Sequence, residues 1–261
     1  HISKSYIRRI KIIVPKNKET QKKIVAILEK AEQLKQWRKE ADKLTDDYLS
    51  SIFFEMFGDP GTNPKKWRVE KLDSICTKIT DGEHNIPPRI QAGVLLIMAK
   101  NVRDGYLDLG DVSYISEESH QKSKKRCNPE SGDVLLVCVG ATIGRAAIVP
   151  KMDDFSLVRS VALLKPNYDY ITSEYFLWSL KTNSVQAQLL ARRNTSAQSG
   201  LYLNGLKRIR IPIPPLPLQT KFSEIVMEIG KIQQSQKKSQ AEIITLSDAL
   251  MQKAFRGELA C

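Results

Sequence analysis

A long segment of this sequence occurs twice, once near each end of the chain. The first copy covers residues 12–58 and the second covers residues 211–257. Both copies have the same order of features: an apolar strand-like stretch, proline, a short spacer, a glutamine (Gln21 or Gln219), a long charged pattern, an aromatic residue and a glycine. Because proline cannot continue a helix and favours extended backbone before it, each copy predicts a strand followed by one long helix.

Each long pattern has core positions at spacings of three and four, which is typical of a coiled coil. The predicted core positions of the first helix, which pack against a partner helix, are Ile24, Ile27, Ala31, Leu34, Arg38, Ala41, Thr45, Tyr48 and Ile52. The matching positions of the second helix are Phe222, Ile225, Ile229, Ile232, Gln236, Ser239, Ile243, Leu246 and Leu250. The central positions are polar in both helices, and a polar core residue lowers stability but fixes register and orientation.

The order of the two helices along the chain favours an antiparallel pair. A compact domain between them connects the end of the first helix to the start of the second, and such a domain most simply joins nearby points. A parallel pair requires that domain to span the whole length of the helices. The sequence leaves two alternatives open: independent surface helices, and pairing between two copies of the chain. We expect pairing within one chain, with dimerisation available through exposed helix faces or the N-terminal strand.

The segment between the helices has the pattern of a mixed α/β domain. Short apolar runs bounded by turn residues predict four strands. These cover residues 94–98, 134–139, 146–149 and 161–164. Ser173 is a good N-cap for a helix with an apolar face, and a shorter helix is expected after Ser116. The predicted fold class is therefore α+β, a mixed α/β domain (residues 59–214) flanked by two long helices (16–58 and 215–261) that form an antiparallel coiled coil.

The charge of the chain favours a polyanionic partner. Lysine and arginine outnumber aspartate and glutamate by 41 to 29, so the formal net charge is +12. Because each neutralised phosphate releases condensed counterions, nucleic acid is the expected partner.

The four cysteines lack a C-x-x-C spacing and only three histidines are present, so no metal site is expected. No apolar run of about 20 residues predicts a membrane span and no signal peptide opens the chain, so cytoplasmic localisation is expected.

Several short motifs in the middle segment, taken in order, are similar to those of one known family. They are Trp67–Leu72, Thr80–His84, Ala99–Val102, Gly132–Leu136, Gly140–Arg145, Ser196–Gln198 and Leu206–Lys207. No one of these motifs is diagnostic, but their order and the duplicated proline–glutamine–helix joint cover nearly the whole chain. On these features the chain resembles the specificity subunits of type I restriction-modification enzymes.

This resemblance implies a function and a set of partners. In the family, each target recognition domain reads one half of a bipartite DNA target. The long helices set the spacing and contact methyltransferase subunits, through which restriction subunits join the complex. The family carries two recognition domains, whereas this sequence has one, preceded by residues 1–15, which resemble the last strand of another. The resemblance therefore implies a C-terminal half, a truncation, or a single-domain form that acts as a homodimer.

Reading double-stranded DNA requires donors and acceptors for base edges and cations for phosphates. The candidate DNA-binding residues are Lys100, Asn101, Arg103, Lys122, Lys124, Lys125, Arg126, Thr142, Arg145, Arg192, Arg193, Asn194, Ser196 and Gln198. The lysine-rich run at 122–126 is also compatible with a solvated helix face. The Gly140–Arg145 motif lacks the terminal G-K-[ST] of a phosphate-binding loop, and its glycines favour a tight turn. Whether His84 and Tyr202 are structural or functional stays open.

The sequence offers no set of catalytic residues. An adenine methyltransferase needs an N/D-P-P-Y/F motif, which Asn85–Pro88 does not provide, and the acid-x-lysine strand of a nuclease does not follow Asp153 and Asp154. We therefore expect a non-catalytic subunit without a cofactor. The alternative function is a coiled-coil interaction scaffold with non-specific nucleic-acid binding.

Overall fold

The structure is a computed structural model and describes residues 15–194 and 200–259. Its helices are Lys18–Phe57 (α1), Leu72–Ile75 (α2), Glu117–Arg126 (α3), Ser173–Lys181 (α4), Asn183–Ala191 (α5), Leu203–Lys207 (α6) and Leu216–Arg256 (α7), with a 3-10 helix at Ala99–Asn101. Its strands are Arg68–Lys71 (β1), Cys76–Asp81 (β2), Val94–Ile97 (β3), Ser113–Ile115 (β4), Val134–Val137 (β5), Ala146–Ile148 (β6), Phe155–Leu157 (β7), Val161–Pro166 (β8) and Arg210–Ile213 (β9).

These elements form two compact units. The helical unit contains the described residues of 1–50 and 227–261, and the globular unit contains those of 51–226. The terminal strand expected within residues 1–15 lies, except for Pro15, outside the described residues. Within the described ranges, no helix combines the length and apolar character needed to cross a membrane.

In the helical unit, the part of α1 up to Ser50 and the part of α7 from Met227 pack as an antiparallel pair. Gln233 Nε2 donates to Asp46 Oδ1 at 2.9 Å. Three residues later in α7, Gln236 lies beside residues that come earlier in α1. In the orientation that satisfies both ends of its amide, it donates to Asp42 Oδ1 at 3.2 Å and accepts from Arg38 Nη2 at 2.9 Å. Because positions advance in one helix as they recede in the other, the pair is antiparallel, as predicted, and it forms within one chain.

Four positions of the buried helix stripe, two in each helix, differ from the predicted ones by one residue. The structure exposes Leu34, Tyr48, Ile232 and Leu246, with Leu34 42% and Tyr48 60% exposed, so their predicted packing in the stripe is wrong. The more buried positions are the next ones along the chain, namely Lys35, Leu49, Gln233 and Ser247. Spacings of three and four can alternate in either order, and the crossing of the two helices decides which order faces the partner. The other predicted positions are buried or half-buried.

The centre of the globular unit is a four-stranded antiparallel sheet with the order β2-β8-β5-β6. All residues of β5 are buried. Val134 and Leu136 belong to the same core cluster as Phe176 of α4, whereas Leu135 and Val137 pack with residues of β3 and β7. Because side chains alternate along a strand, helices cover one face of this sheet and a second sheet covers the other. The continuous apolar run in the sequence reflects burial on both faces.

Two smaller sheets complete the globular unit. The sheet that covers the central one has the order β4-β3-β7, in which β3 is antiparallel to β4 and parallel to β7. The other is the antiparallel pair β1-β9. The four predicted strands correspond to β3, β5, β6 and β8. The helix expected after Ser116 is α3, and Ser116 Oγ accepts a hydrogen bond from Ser119 N at 3.2 Å.

The N-cap of α4 is Thr172 rather than the predicted Ser173. Thr172 Oγ1 accepts from Tyr175 N at 3.3 Å. Ser173 Oγ instead donates to the carbonyl oxygen of Gly132 at 2.6 Å, which ties the helix to the turn before β5. Both residues are good caps by type, and this tertiary contact decides between them.

Candidate nucleic-acid interface

One cleft of the globular unit collects polar side chains from segments that are distant in the sequence. Its volume is about 660 Å³. We call it the arginine cleft and define it by Asp81, His84, Arg126, Arg159, Tyr202 and Asn204. Cationic, anionic, amide and aromatic groups thus share one concave surface, which is the kind of surface that binds a ligand with several polar edges.

The loop after β2 is held against the turn between β7 and β8. A Cβ atom on Gly82 would lie 2.0 Å from the carbonyl oxygen of Leu157, so only glycine fits without a backbone shift. Glu83 N donates to Leu157 O at 2.8 Å, and Arg159 N donates to Glu83 O at 2.9 Å. These contacts explain why His84 and Arg159 line the same cleft.

Arg126, the last residue of α3, is held in the cleft by two partners. Its Nη2 donates to Asp81 Oδ1 and to His84 Nε2 at 2.9 Å. The Asp81 side chain is only 13% exposed, so water screens its attraction to the guanidinium weakly. The Arg126 side chain is 43% exposed, and a guanidinium has five N–H donors, so others remain for a ligand.

Arg159 has a different environment. It lies in the turn between β7 and β8, where Val158 beside it is buried and its own side chain is exposed. Over residues 15–194 and 200–259, no ion pair joins its guanidinium to an acidic group. An anchored backbone and an uncompensated side chain make Arg159 a donor that is available to a ligand.

Besides Arg126, which pairs with Asp81, five more of the predicted DNA-contacting cations have an acidic neighbour. The pairs are Lys100–Asp111, Arg103–Asp108, Lys122–Glu118, Lys124–Asp154 and Arg145–Asp104. Such exposed pairs contribute little to stability, but each reduces the local positive potential. Lys124 holds the pKa of Asp154 below its usual range, and Asp154 raises the pKa of Lys124, so this pair stays ionised at neutral pH. Lys125 is exposed, and no ion pair joins it to another described residue.

Asn101 is a structural residue, which corrects its prediction as a DNA contact. Its side chain is 2% exposed. Its Oδ1 accepts from Met98 N at 3.0 Å, and its Nδ2 donates to Asp108 O at 3.0 Å and to Asp111 O at 2.9 Å. The amide is fully used in holding the segment between β3 and β4, so no part of it reaches a base edge.

A second pocket adjoins the arginine cleft. Its volume is about 500 Å³, and Arg192 at the end of α5 and Arg208 after α6 line it. Asn204 lines both this pocket and the cleft. The structure therefore places one predicted cation, Arg192, next to a cleft that contains another, Arg126.

The segment after α5 also reaches the cleft wall. Gly200 forms β-bridges with Asn194 and with Val139, and Val139 lines the cleft. Arg193 and Asn194 are exposed. Two further predicted contacts in this segment, Ser196 and Gln198, lie outside the described residues.

Thr142 and Arg145 line a different hollow, which has a volume of about 420 Å³ and also contains Gln186. Gly144 has a φ of +94°, and a Cβ atom there would lie 2.2 Å from Gln186 Oε1. Gln186 Nε2 donates to Gly144 O at 3.0 Å. The glycine serves a tight turn packed against α5, as the sequence pattern indicated.

Sequence reasoning missed three residues of the cleft: Asp81, Arg159 and Asn204. The signal for Asp81 was available in the Thr80–His84 motif, where a glycine between two polar residues indicates close backbone approach. Arg159 is a single cation in the short turn between the apolar strands β7 and β8, so no local pattern distinguishes it.

The thiol in the cleft wall is not a nucleophile at neutral pH. Burial raises the pKa of Cys138 to about 12, and a protonated thiol reacts slowly. Among the residues that the structure describes, no group of three or more His, Cys, Asp or Glu side chains is arranged to hold a metal ion.

Solved structures with a similar fold come from type I restriction-modification systems. One chain, from work on complex assembly and conformational transition of the type I R-M system, aligns with a TM-score of 0.60 and 23% identity, covering 94% of this chain and 61% of its own. The HsdS subunit from Thermoanaerobacter tengcongensis aligns with a TM-score of 0.53 and 23% identity, covering 92% of this chain and 58% of its own.

Sequence comparison agrees with the fold. The chain is 30% identical over 177 residues to the type I restriction enzyme EcoBI specificity subunit of Escherichia coli, an alignment that covers 65% of this chain and 36% of that relative. The chain thus spans little more than a third of the length of this curated relative. Residues 64–244, which include most of the globular unit, match the type I restriction modification DNA specificity domain. The chain therefore belongs to the family of type I restriction modification DNA specificity domains.

Proposed function

We propose that this chain is a non-catalytic DNA-specificity subunit whose globular unit reads part of a duplex target. The observation that carries the proposal is the family match over residues 64–244, which contains every residue of the arginine cleft. The cleft provides donors and acceptors suited to base edges. The formal net charge of +12 supports attraction to the phosphate backbone.

The helical unit has features of a protein-docking surface. Leu34 and Ile232 occupy matching positions in the two repeats, as do Tyr48 and Leu246, and all four are exposed apolar residues. Trp37 is 57% exposed on the same unit. Exposed apolar groups of this kind mark protein contacts. We propose that these helices dock methyltransferase subunits and that restriction subunits join the complex through the methyltransferase subunits. We also propose that a second copy of the chain reads the other half of the target site.

Selection from randomised duplex DNA tests this function. The purified chain, alone and with methyltransferase subunits, is expected to enrich one sequence motif. Its observed binding constant is expected to fall as salt rises, because binding releases counterions. Enrichment of no motif with the methyltransferase subunits present would contradict the proposal and favour a scaffold that binds nucleic acid without specificity. Sedimentation velocity on the same samples reports how many copies of the chain are present.

A further inference from the structure

We infer that the arginine cleft determines specificity at one base pair of the target and that Arg159 reads a guanine there. This inference rests on the proposed function and assigns a position and a base to it. Arg159 would donate two hydrogen bonds to O6 and N7 of the guanine in the major groove, which is the commonest specific contact between a protein and DNA.

The mixture of groups in the cleft favours a base edge over a phosphate. Arg126, Arg159 and Asn204 offer donors, while the Asp81 carboxylate lies among them and offers only acceptors. A carboxylate repels a phosphate at short range. The major-groove edge of a G·C pair presents both acceptors and a donor, so a mixed set of protein groups complements it.

The two arginines of the cleft have different roles. Asp81 and His84 both accept from Nη2 of Arg126 and hold this guanidinium in place, so Arg126 supplies a fixed local positive charge and only its remaining donors. Arg159 has both edges of its guanidinium available, since no acidic group pairs with it within the described residues. A bidentate contact with guanine needs two neighbouring N–H donors of a planar guanidinium that no other group occupies.

The backbone around Arg159 is rigid enough for base reading. Gly82 packs against Leu157 so closely that a Cβ atom would collide with the Leu157 carbonyl. Val158 is 5% exposed, and its amide donates to Ile97 O at 3.3 Å. Arg159 N itself is bonded to Glu83 O at 2.9 Å. Discrimination between bases depends on such fixed positions, whereas phosphate contacts tolerate long mobile side chains.

The test compares Arg159→Ala and Arg159→Lys with the unmodified chain in the randomised-duplex selection, with methyltransferase subunits present. The unmodified chain is expected to require guanine at one position. Arg159→Ala is expected to lose the preference at that position alone and to bind the selected duplex about 10- to 100-fold more weakly. Arg159→Lys keeps the charge but lacks the planar fork, so it is expected to keep non-specific affinity while losing the guanine preference.

A matched control is Lys71→Ala, which removes one exposed positive charge from β1, outside the cleft. It is expected to leave the selected motif unchanged. Circular dichroism and retained binding to the methyltransferase subunits establish that each variant is folded.

The outcomes separate the inference from the proposed function. If the unmodified chain selects a motif and Arg159→Ala selects the same motif, the inference is overturned and the proposed function stands. Arg159→Ala could instead weaken binding to all sequences equally and reduce the slope of the logarithm of the binding constant against the logarithm of salt concentration by about 1. That result would make Arg159 a phosphate contact and would also overturn the inference. Selection of no motif by the unmodified chain overturns both.

Discussion

Gln219 Oε1 accepts a hydrogen bond from Thr172 N at 2.9 Å, which joins the start of the second long helix to the N-cap of α4. Gln219 is completely buried. Its Nε2 donates to Tyr170 O at 2.9 Å and to Pro214 O at 2.8 Å. One side chain thus satisfies three backbone groups at the joint that the duplicated sequence pattern marks.

We expect Gln219→Leu to lower the free energy of unfolding by about 2–4 kcal/mol, because it leaves buried backbone groups without partners. Urea denaturation followed by circular dichroism measures the change. The matched control is Gln21→Leu, at the equivalent position of the first repeat, where Gln21 Nε2 donates to Pro15 O at 2.7 Å. Loss of this single hydrogen bond is expected to lower the free energy of unfolding by about 1 kcal/mol or less. Equal effects of the two substitutions would contradict the role assigned to Gln219.

Asn101→Ala is expected to lower the free energy of unfolding by about 2–3 kcal/mol, because three backbone groups lose their buried partner. Its neighbour Lys100 makes an exposed ion pair with Asp111, so Lys100→Ala is expected to change stability by less than about 1 kcal/mol. Thermal denaturation of the two variants side by side gives the comparison. An Asn101→Ala variant of full stability but weak DNA binding would restore the original sequence prediction.

The antiparallel pairing predicts a specific cross-link. Asp46 and Gln233 are in direct contact, so Asp46→Cys with Gln233→Cys is expected to form an intrachain disulfide under mild oxidation in a background lacking the native cysteines. The control combines Tyr48→Cys with Leu246→Cys, which are matching repeat positions that would be adjacent in a parallel pair. That pair is expected to stay reduced. Non-reducing electrophoresis separates the products, and cross-linking of the control pair instead would disprove the antiparallel arrangement.

The buried thiols predict loss of stability at alkaline pH. Burial raises the pKa values of Cys127 and Cys138 to about 12, whereas an unfolded thiol titrates near 8.5. The folded chain therefore favours the protonated form, and the contribution to stability is complete below the unfolded pKa and lost as pH rises toward 12.

Urea denaturation at pH 8 and at pH 10 measures the expected fall in the free energy of unfolding. The accessibility of the buried thiols is measured separately on a Cys76→Ser, Cys261→Ser variant at pH 8. Iodoacetamide is expected to label the two remaining thiols slowly in the native chain and rapidly in denaturant. Rapid labelling of the native chain would show that these thiols are accessible thiolates.

The long helices and the central strands could be predicted from the sequence because both signals are local. Spacings of three and four mark a helix stripe, and the uninterrupted apolar run of β5 marks a strand buried on both faces. The proline joints and the repeated glutamines marked where each helix begins. The motif order indicated the family.

Local periodicity could not decide between neighbouring stripe positions. The seven-residue pattern placed Leu34 and Tyr48 in the stripe, whereas the structure buries Leu49 and leaves Leu34 and Tyr48 exposed. Which of two adjacent residues faces the partner depends on how the helices cross, and this is a property of the pair.

The sequence by itself determined the helical pair, the class of the middle domain and the basic character that favours DNA. Only the tertiary structure decided which polar side chains meet. Arg126 and Asp81 are 45 residues apart in the chain, and Arg159 reaches them through backbone hydrogen bonds between a loop and a turn. Periodicity and composition record short-range preferences, whereas a recognition surface arises from long-range strand pairing and packing that bring distant residues to one place.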